Sequence, residues 1–114
     1  MARIDLDLAG WRDAHEATGI AYVCAFASGA SHDDTTDLKV RVFTPSDGII
    51  EDPATGSAVA AIGGLMALER RFGRYRVTQG AEIGRPSELS LAVSEQAVHV
   101  GGKAVAVGRG FLDL

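Results

Sequence analysis

The sequence predicts an α+β domain in which an antiparallel sheet wraps around one central helix. Three observations lead there. Residues 57–68 carry no charge and put apolar side chains on every face of a helix, the pattern of a helix buried all round. Roughly six or seven short segments with strand-like alternation or apolar runs surround it in sequence. The connections are short and punctuated by Gly, Pro, Asp and Ser, which favours neighbouring strands joined by turns.

Taken in chain order, WRDAHEAT over 11–18 reads as a short helix that Gly19 stops as a C-cap. IAYVCAFAS, from Ile20, is an apolar strand expected to be buried on nearly both faces, with Cys24 as a small core residue. GASHDDTTD follows as a polar loop with Asp33 and Asp34 in solvent. In LKVRVFT, Leu38, Val40 and Val42 alternate with Lys39, Arg41 and Phe43, so one face turns to a core. Pro45, Asp47 and Gly48 build a turn.

The long helix opens after EDPATGSA and is expected to end at Gly73. Gly63 and Gly64 in its middle would each cost about 1 kcal/mol against alanine in an isolated helix. Close approach of a neighbouring strand is the expected return. Only the last turn, Glu69-Arg70-Arg71, is expected to reach water, with both arginines against the helix C-terminus. RYRVTQG, SELSLAV, AVHVGG and KAVAVGRGFLDL supply further strands, the last two joined by a Gly101-Gly102 hairpin turn. His99, Trp11 and Tyr22 read as strand and packing residues without chemistry.

The bulk numbers narrow the function. A chain of 114 residues suits one domain, 1–114. Its net charge of −4 and lack of a basic run give no footprint for nucleic acid. The single cysteine and three scattered histidines offer neither a disulfide framework nor a metal-ligand spacing. The longest apolar run, 58–68, is too short to cross a bilayer, and the opening MARIDLDLAGWRDAHEA lacks an apolar signal region. No membrane association and a reduced, cytoplasmic location are expected.

EDPATGSA at the mouth of an apolar helix supports two readings. In the first, Asp52 is an N-cap and Pro53 the first helical residue, and nothing more is needed. In the second, a buried helix aims its free first-turn N–H groups into the protein. Gly56 lets those amides approach a ligand, with the hydroxyls of Thr55 and Ser57 beside them. Such a helix mouth is an anion or carboxylate site. A bound anion would favour the protonated form of Asp52 while the helix dipole opposes it.

RVFTPSDGIIEDPATGSAVAA, VTQGAEIGRPSELSLAV and KAVAVGRGFLDL together resemble the C-terminal half of the phenazine-biosynthesis PhzF-like family, from about Ile20 onward. The resemblance implies a diaminopimelate-epimerase-like half-barrel, sheet around a central helix, facing a second similar domain across the active site. It implies that Asp52 and Ser57 are catalytic, that Gly56 turns its amide to the ligand, and that Thr55 joins it in binding. Gln79, Gly80, Gly84, Arg85 and Pro86 match a second block that shapes the cleft wall, where Arg85 is a candidate substrate-binding residue. The thiol of the cysteine-based epimerases of this fold is replaced by Asp52, so two-thiol chemistry is disfavoured.

The family's N-terminal half, with its glutamate base, a histidine and a Gly-Asn-Pro motif, has no counterpart in these residues. Glu51 stands beside Asp52 rather than across a cleft, and Glu82 and Glu88 lie on the wrong segments. The resemblance therefore implies a cofactor-independent isomerase or epimerase half-domain, inactive alone, acting by proton transfer on a small carboxylate metabolite. Its partner is a separate N-terminal-half chain or a second copy in a homodimer. The alternative is a non-catalytic, self-associating module that binds an anion.

Overall fold

The computed structural model describes Met1 and residues 3–113. Helix α1 spans Leu8–Thr18, followed by strands β1 (Val23–His32), β2 (Thr35–Thr44) and β3 (Ile49–Asp52). Helix α2 (Gly56–Leu68) comes next, then β4 (Gly73–Gln79), β5 (Ser87–Val93) and β6 (Val98–Gly102). The six strands form one sheet in the order β1-β2-β4-β5-β6, with β3 attached to β2. The fold is α+β, as the sequence predicts.

The sheet is not wholly antiparallel. β2 and β4 run parallel, with Leu38 opposite Val77 and Val40 opposite Gln79. A parallel pair needs a crossover, and here α2 lies within the connection. Beyond Val40 the neighbour of β2 changes: β3 takes over, with Val42 opposite Asp52 and Phe43 opposite Glu51. The sheet therefore forks beside β2, and the mouth of α2 lies at the fork.

The alternation in β2 holds. Leu38, Val40 and Val42 join Val59, Ile62 and Met66 of α2, and Val77, Leu89, Leu91 and Val93, in the core. Gly63 is buried in this packing. A Cβ there would stand 2.5 Å from Val98 Cγ1 and 2.8 Å from Leu91 Cδ1, so close approach to the sheet explains that glycine. It does not explain Gly64, where a Cβ would meet nothing within 4 Å.

Helix α2 is not buried all round in this chain. Val59, Ile62, Gly63 and Met66 face the sheet, while Ala60, Ala61, Leu65 and Leu68 are exposed, Leu68 at 85%. One helix, about 10 Å across, covers only some strands of a sheet whose neighbours are about 4.8 Å apart. α2 packs on β5 and β6. The opposite edge strand, β1, is therefore mostly exposed rather than buried on two faces, and Cys24 is exposed with it.

Several ends differ from expectation for local reasons. β1 and β2 close as a hairpin through Asp33 and Asp34, both at positive φ, as a two-residue I′ turn requires. α2 stops at Leu68, before Gly73: Arg71 N–H bonds Met66 C=O and Arg70 N–H bonds Ala67 C=O. That is a Schellman ending with Arg70, at φ +56°, in the place glycine usually takes. Gly101 and Gly102 continue β6 opposite Ser90 and Leu89 instead of turning. Residues 103–113 form no strand and lie exposed. A Cα radius of gyration of 16.0 Å, against about 13 Å for a closely packed domain of about 100 residues, agrees with an open sheet and projecting ends.

On the face of β2 away from α2, Arg41 and Glu51 form a bidentate pair at 2.9 and 2.7 Å. Their side chains are only 8% and 4% exposed. Arg41 also donates to the carbonyls of Met1 and Ile4 and lies 5.0 Å from the Phe43 ring centre. The hydrogen bonds to Glu51 raise the Arg41 pKa above its already high value.

Two stability measurements check this account. Arg41→Met should lower unfolding free energy by about 3–5 kcal/mol by stranding the Glu51 charge, and Arg41→Met with Glu51→Leu should recover most of it. Urea midpoints at unchanged slope read both. Arg70→Gly should raise stability by about 0.5–1 kcal/mol, because the left-handed position stops straining a side chain. A loss there would mean that the exposed Arg70 contacts to Glu95 and Phe72 outweigh the strain.

Candidate active site

Adjacent residues of a strand point to opposite faces, and this separates the two acids of EDPATGSA. Glu51 turns away from α2 to Arg41. Asp52, at the end of β3, turns to the helix mouth, where Thr55 Oγ1 donates to its Oδ2 at 2.5 Å. A carboxylate held by Nε and Nη2 of the Arg41 guanidinium is a structural anchor, which removes Glu51 as a proton acceptor for chemistry in this chain.

Neither Asp52 nor Pro53 starts the helix. The N-cap is Thr55, and α2 begins at Gly56. The Thr55 side chain bonds Asp52 rather than a helical N–H. Thr55 N–H is also engaged, donating to Gln79 Oε1 at 3.1 Å. The first helical bond is Val59 N–H to Thr55 C=O at 3.1 Å. The N–H groups of Gly56, Ser57 and Ala58 have no acceptor among the described residues. Gly56 and Ser57 are exposed and Ala58 is half-buried, and the three amides stand at the positive end of the helix dipole.

Gln79 is the residue whose part here the sequence hides. It is 1% exposed at the end of β4. Its Nε2 donates to the Asp52 carbonyl at 2.7 Å and to Thr55 Oγ1 at 2.8 Å. An extended-strand glutamine followed by glycine was a legible signal only as part of the second motif block; its partners are not readable from spacing. Gly80 next to it has φ +79°, and a Cβ there would lie 2.3 Å from the Arg85 carbonyl and 2.9 Å from that of Pro53. Both conformation and space demand glycine.

Arg85 belongs to the same corner through its backbone: its N–H donates to Gly80 C=O at 2.9 Å. Its side chain is exposed and makes no ion pair among the described residues. The site thus gathers Asp52, Thr55, Gly56, Ser57, Gln79, Gly80 and the Arg85 backbone at one fork of the sheet. A concavity of about 830 Å³ lies elsewhere, lined by Arg74, Arg76, Glu88, His99 and Lys103 among others.

The remaining acids stand apart. Glu82 pairs with Lys39 at 2.7 Å, and that contact first, with its own backbone N–H and then Arg41, lowers its pKa despite opposing desolvation. It is an ionised partner rather than a proton carrier. Glu88 meets Lys103 at 3.6 Å in solvent. The Cys24 residue is exposed, yet crowding around its thiol raises the pKa by desolvation, the reverse of an activated thiolate.

Comparison with known proteins agrees with the motif blocks. The profile of the family described as phenazine biosynthesis-like protein matches residues 2–110. An uncharacterised isomerase of Pasteurella multocida is 47% identical over 82 residues, 69% of this chain and 28% of that protein. The trans-2,3-dihydro-3-hydroxyanthranilate isomerase of Pseudomonas chlororaphis is 38% identical over 84 residues, 67% of this chain and 30% of that protein. An uncharacterised isomerase of Bacillus subtilis is 34% identical over 86 residues, 70% of this chain and 28% of that protein. The matches thus take in less than a third of the length of these relatives. With a profile match across nearly its whole length, the chain belongs to the phenazine-biosynthesis-like (PhzC–PhzF) family.

Proposed function

We propose that the mouth of α2 is one half of the active site of a cofactor-independent isomerase, with the other half supplied by residues outside this chain. The observation that carries the reading is the row of open N–H groups at Gly56, Ser57 and Ala58 next to the fixed carboxyl of Asp52. Amides there suit the carboxylate of a small metabolite. Asp52 holds or relays the proton, and the Ser57 hydroxyl, carried on the first turn of α2, assists it. Thr55 acts mainly through Asp52, since its amide and hydroxyl are already engaged. The Arg85 backbone packs beside Gly80, and its guanidinium would meet substrate charge from the cleft wall. Relatives named as isomerases support the reaction class.

The reaction is a net shift of one proton between two carbons of the substrate. A base outside these residues removes the first proton, a glutamate by the family resemblance. A protonated group returns one at the second carbon, so no electron acceptor or donor is required. Closing the second half over the site would exclude water and form the half-barrel interface that this chain leaves open. That half is a further part of the same polypeptide, a separate chain or a second copy.

A second reading has its own observation. Leu65, Leu68 and Phe72 are exposed along and beyond α2, as are Val105, Val107, Phe111 and Leu112 near the other end of the chain. Exposed apolar area of this kind favours association, which a non-catalytic, anion-binding homodimer would also satisfy. Turnover separates the two readings.

Titration with sulfate or phosphate should shift the amide NMR signals of Gly56, Ser57 and Ala58 and leave those of β5 unmoved; no shift at the helix mouth contradicts the anion site. The 114 residues alone should give no exchange of substrate protons with solvent deuterium. Mixing with a family N-terminal half should produce exchange, which Asp52→Ala or Ser57→Ala should lower by about 10²–10⁴-fold, the span of general acid–base contributions. Full exchange without the second half would place the base within this chain and contradict the proposal.

A further inference from the structure

The orientation of the Gln79 carboxamide is determined by its neighbours. Nε2 faces two oxygens, the Asp52 carbonyl and Thr55 Oγ1, and Oε1 faces the Thr55 N–H. Turning the amide over would set Oε1 against a carbonyl that cannot donate, and Nε2 against an N–H. Both Nε2 protons are therefore used, one of them on Thr55 Oγ1. The Thr55 hydroxyl, accepting from Gln79, sends its own proton to Asp52 Oδ2. Donation runs one way, from Gln79 to Thr55 to Asp52. Oδ1 of Asp52 has no partner among the described residues.

We propose that Gln79 is a positioning residue that, through Thr55, keeps Oδ2 of Asp52 as a fixed acceptor and leaves Oδ1 as the oxygen that exchanges a proton with the substrate. The inference rests on the proton-transfer role given to Asp52 above. In one direction the Oδ1–H bond breaks as its proton bonds to the substrate, leaving Asp52 as the carboxylate; in the other the carboxylate takes a proton and the substrate keeps the electron pair. Oδ2 stays bonded to Thr55 throughout, so the carboxyl does not rotate between steps. Holding one oxygen fixed places the other, the kind of orientation that misplacement by about 1 Å can cost about 10²-fold in rate.

Gln79→Glu keeps the shape and removes the donor. Its carboxylate accepts the Thr55 hydroxyl proton and draws it from Asp52. Thr55→Val removes the relay while leaving Gln79, and Thr55→Ser restores the hydroxyl. By NMR on this chain, the Thr55 hydroxyl proton should appear as a slowly exchanging signal. In Gln79→Met it should exchange at least about tenfold faster, as expected for one lost hydrogen bond. In Thr55→Ser the serine hydroxyl should keep the slow exchange. In the completed site, Gln79→Glu and Thr55→Val should lower kcat by about 10- to 100-fold with KM nearly unchanged, and Thr55→Ser should restore kcat. A purely structural role would move the melting temperature without this kcat-against-KM split or the serine rescue.

The controls separate the two claims. If Asp52→Ala keeps full kcat, the proton-transfer reading fails and this inference falls with it. If Asp52→Ala abolishes turnover while Thr55→Val keeps it and the hydroxyl signal survives in Gln79→Met, the reading stands and the role of Gln79 is overturned. Should Gln79 variants fail to fold, the Thr55→Val and Thr55→Ser pair decides by itself.

Discussion

The side chain of Gln79 joins two strands that do not pair with each other. β3 and β4 each bond β2, at different stretches of it, and where one gives way to the other the ladder cannot satisfy every backbone group. Gln79 supplies what the ladder lacks, donating to the Asp52 carbonyl and accepting from the Thr55 amide. Buried polar groups without partners are costly, and a carboxamide offering donors and an acceptor together settles several at once. Gly80 then turns the chain away so tightly that Pro53 and Arg85 pack where a side chain would be. The end of β3 carrying Asp52 is thereby pinned to the end of β4 before any ligand arrives.

The electrostatics follow from strand alternation. Glu51 and Asp52 are neighbours in sequence, yet one lies in a buried ion pair on the far face and the other at the helix mouth. The pair with Arg41 ties β2 to β3 and to the first residues of the chain. It also keeps a second carboxylate away from Asp52, whose surroundings are then set by Thr55, Gln79 and the first turn of α2. Arg41, Lys39 and Glu82 form the charged face of the sheet, while the α2 face is apolar except at the fork. On the α2 face, polarity is concentrated at the fork.

Much of this was legible in the sequence where period and chemistry agree. The alternation of Leu38, Val40 and Val42, the helix closed by Gly19, and the apolar run of α2 all appear where their patterns put them. The motif block pointed to the mouth of α2. Tertiary context hid the rest. Whether an apolar segment is covered depends on what lies over it: one helix cannot cover both edges of the sheet, so the apolar β1 ended exposed. The parallel β2–β4 pair is set by the path of the crossover, which no local pattern encodes. Asp-Pro looks like a helix start, but β3 pairing holds Asp52 in the strand and delays the helix to Gly56. Gly101-Gly102 looks like a turn, and the β5 ladder carries it straight through. The three bonds of Gln79 join residues more than twenty positions apart, beyond any motif of spacing.

The clamp at the fork, rather than the helix itself, imposes the geometry of the helix mouth. Hydrogen exchange of Gly80→Ala, followed residue by residue, tests it most directly. A Cβ there forces Pro53 and the Arg85 turn apart. The Thr55 amide should lose its protection while β4–β5 amides from Tyr75 to Val77 and from Leu89 to Leu91 keep theirs. A Thr55 amide as protected as in the unaltered chain, in a variant with an intact sheet, would contradict it.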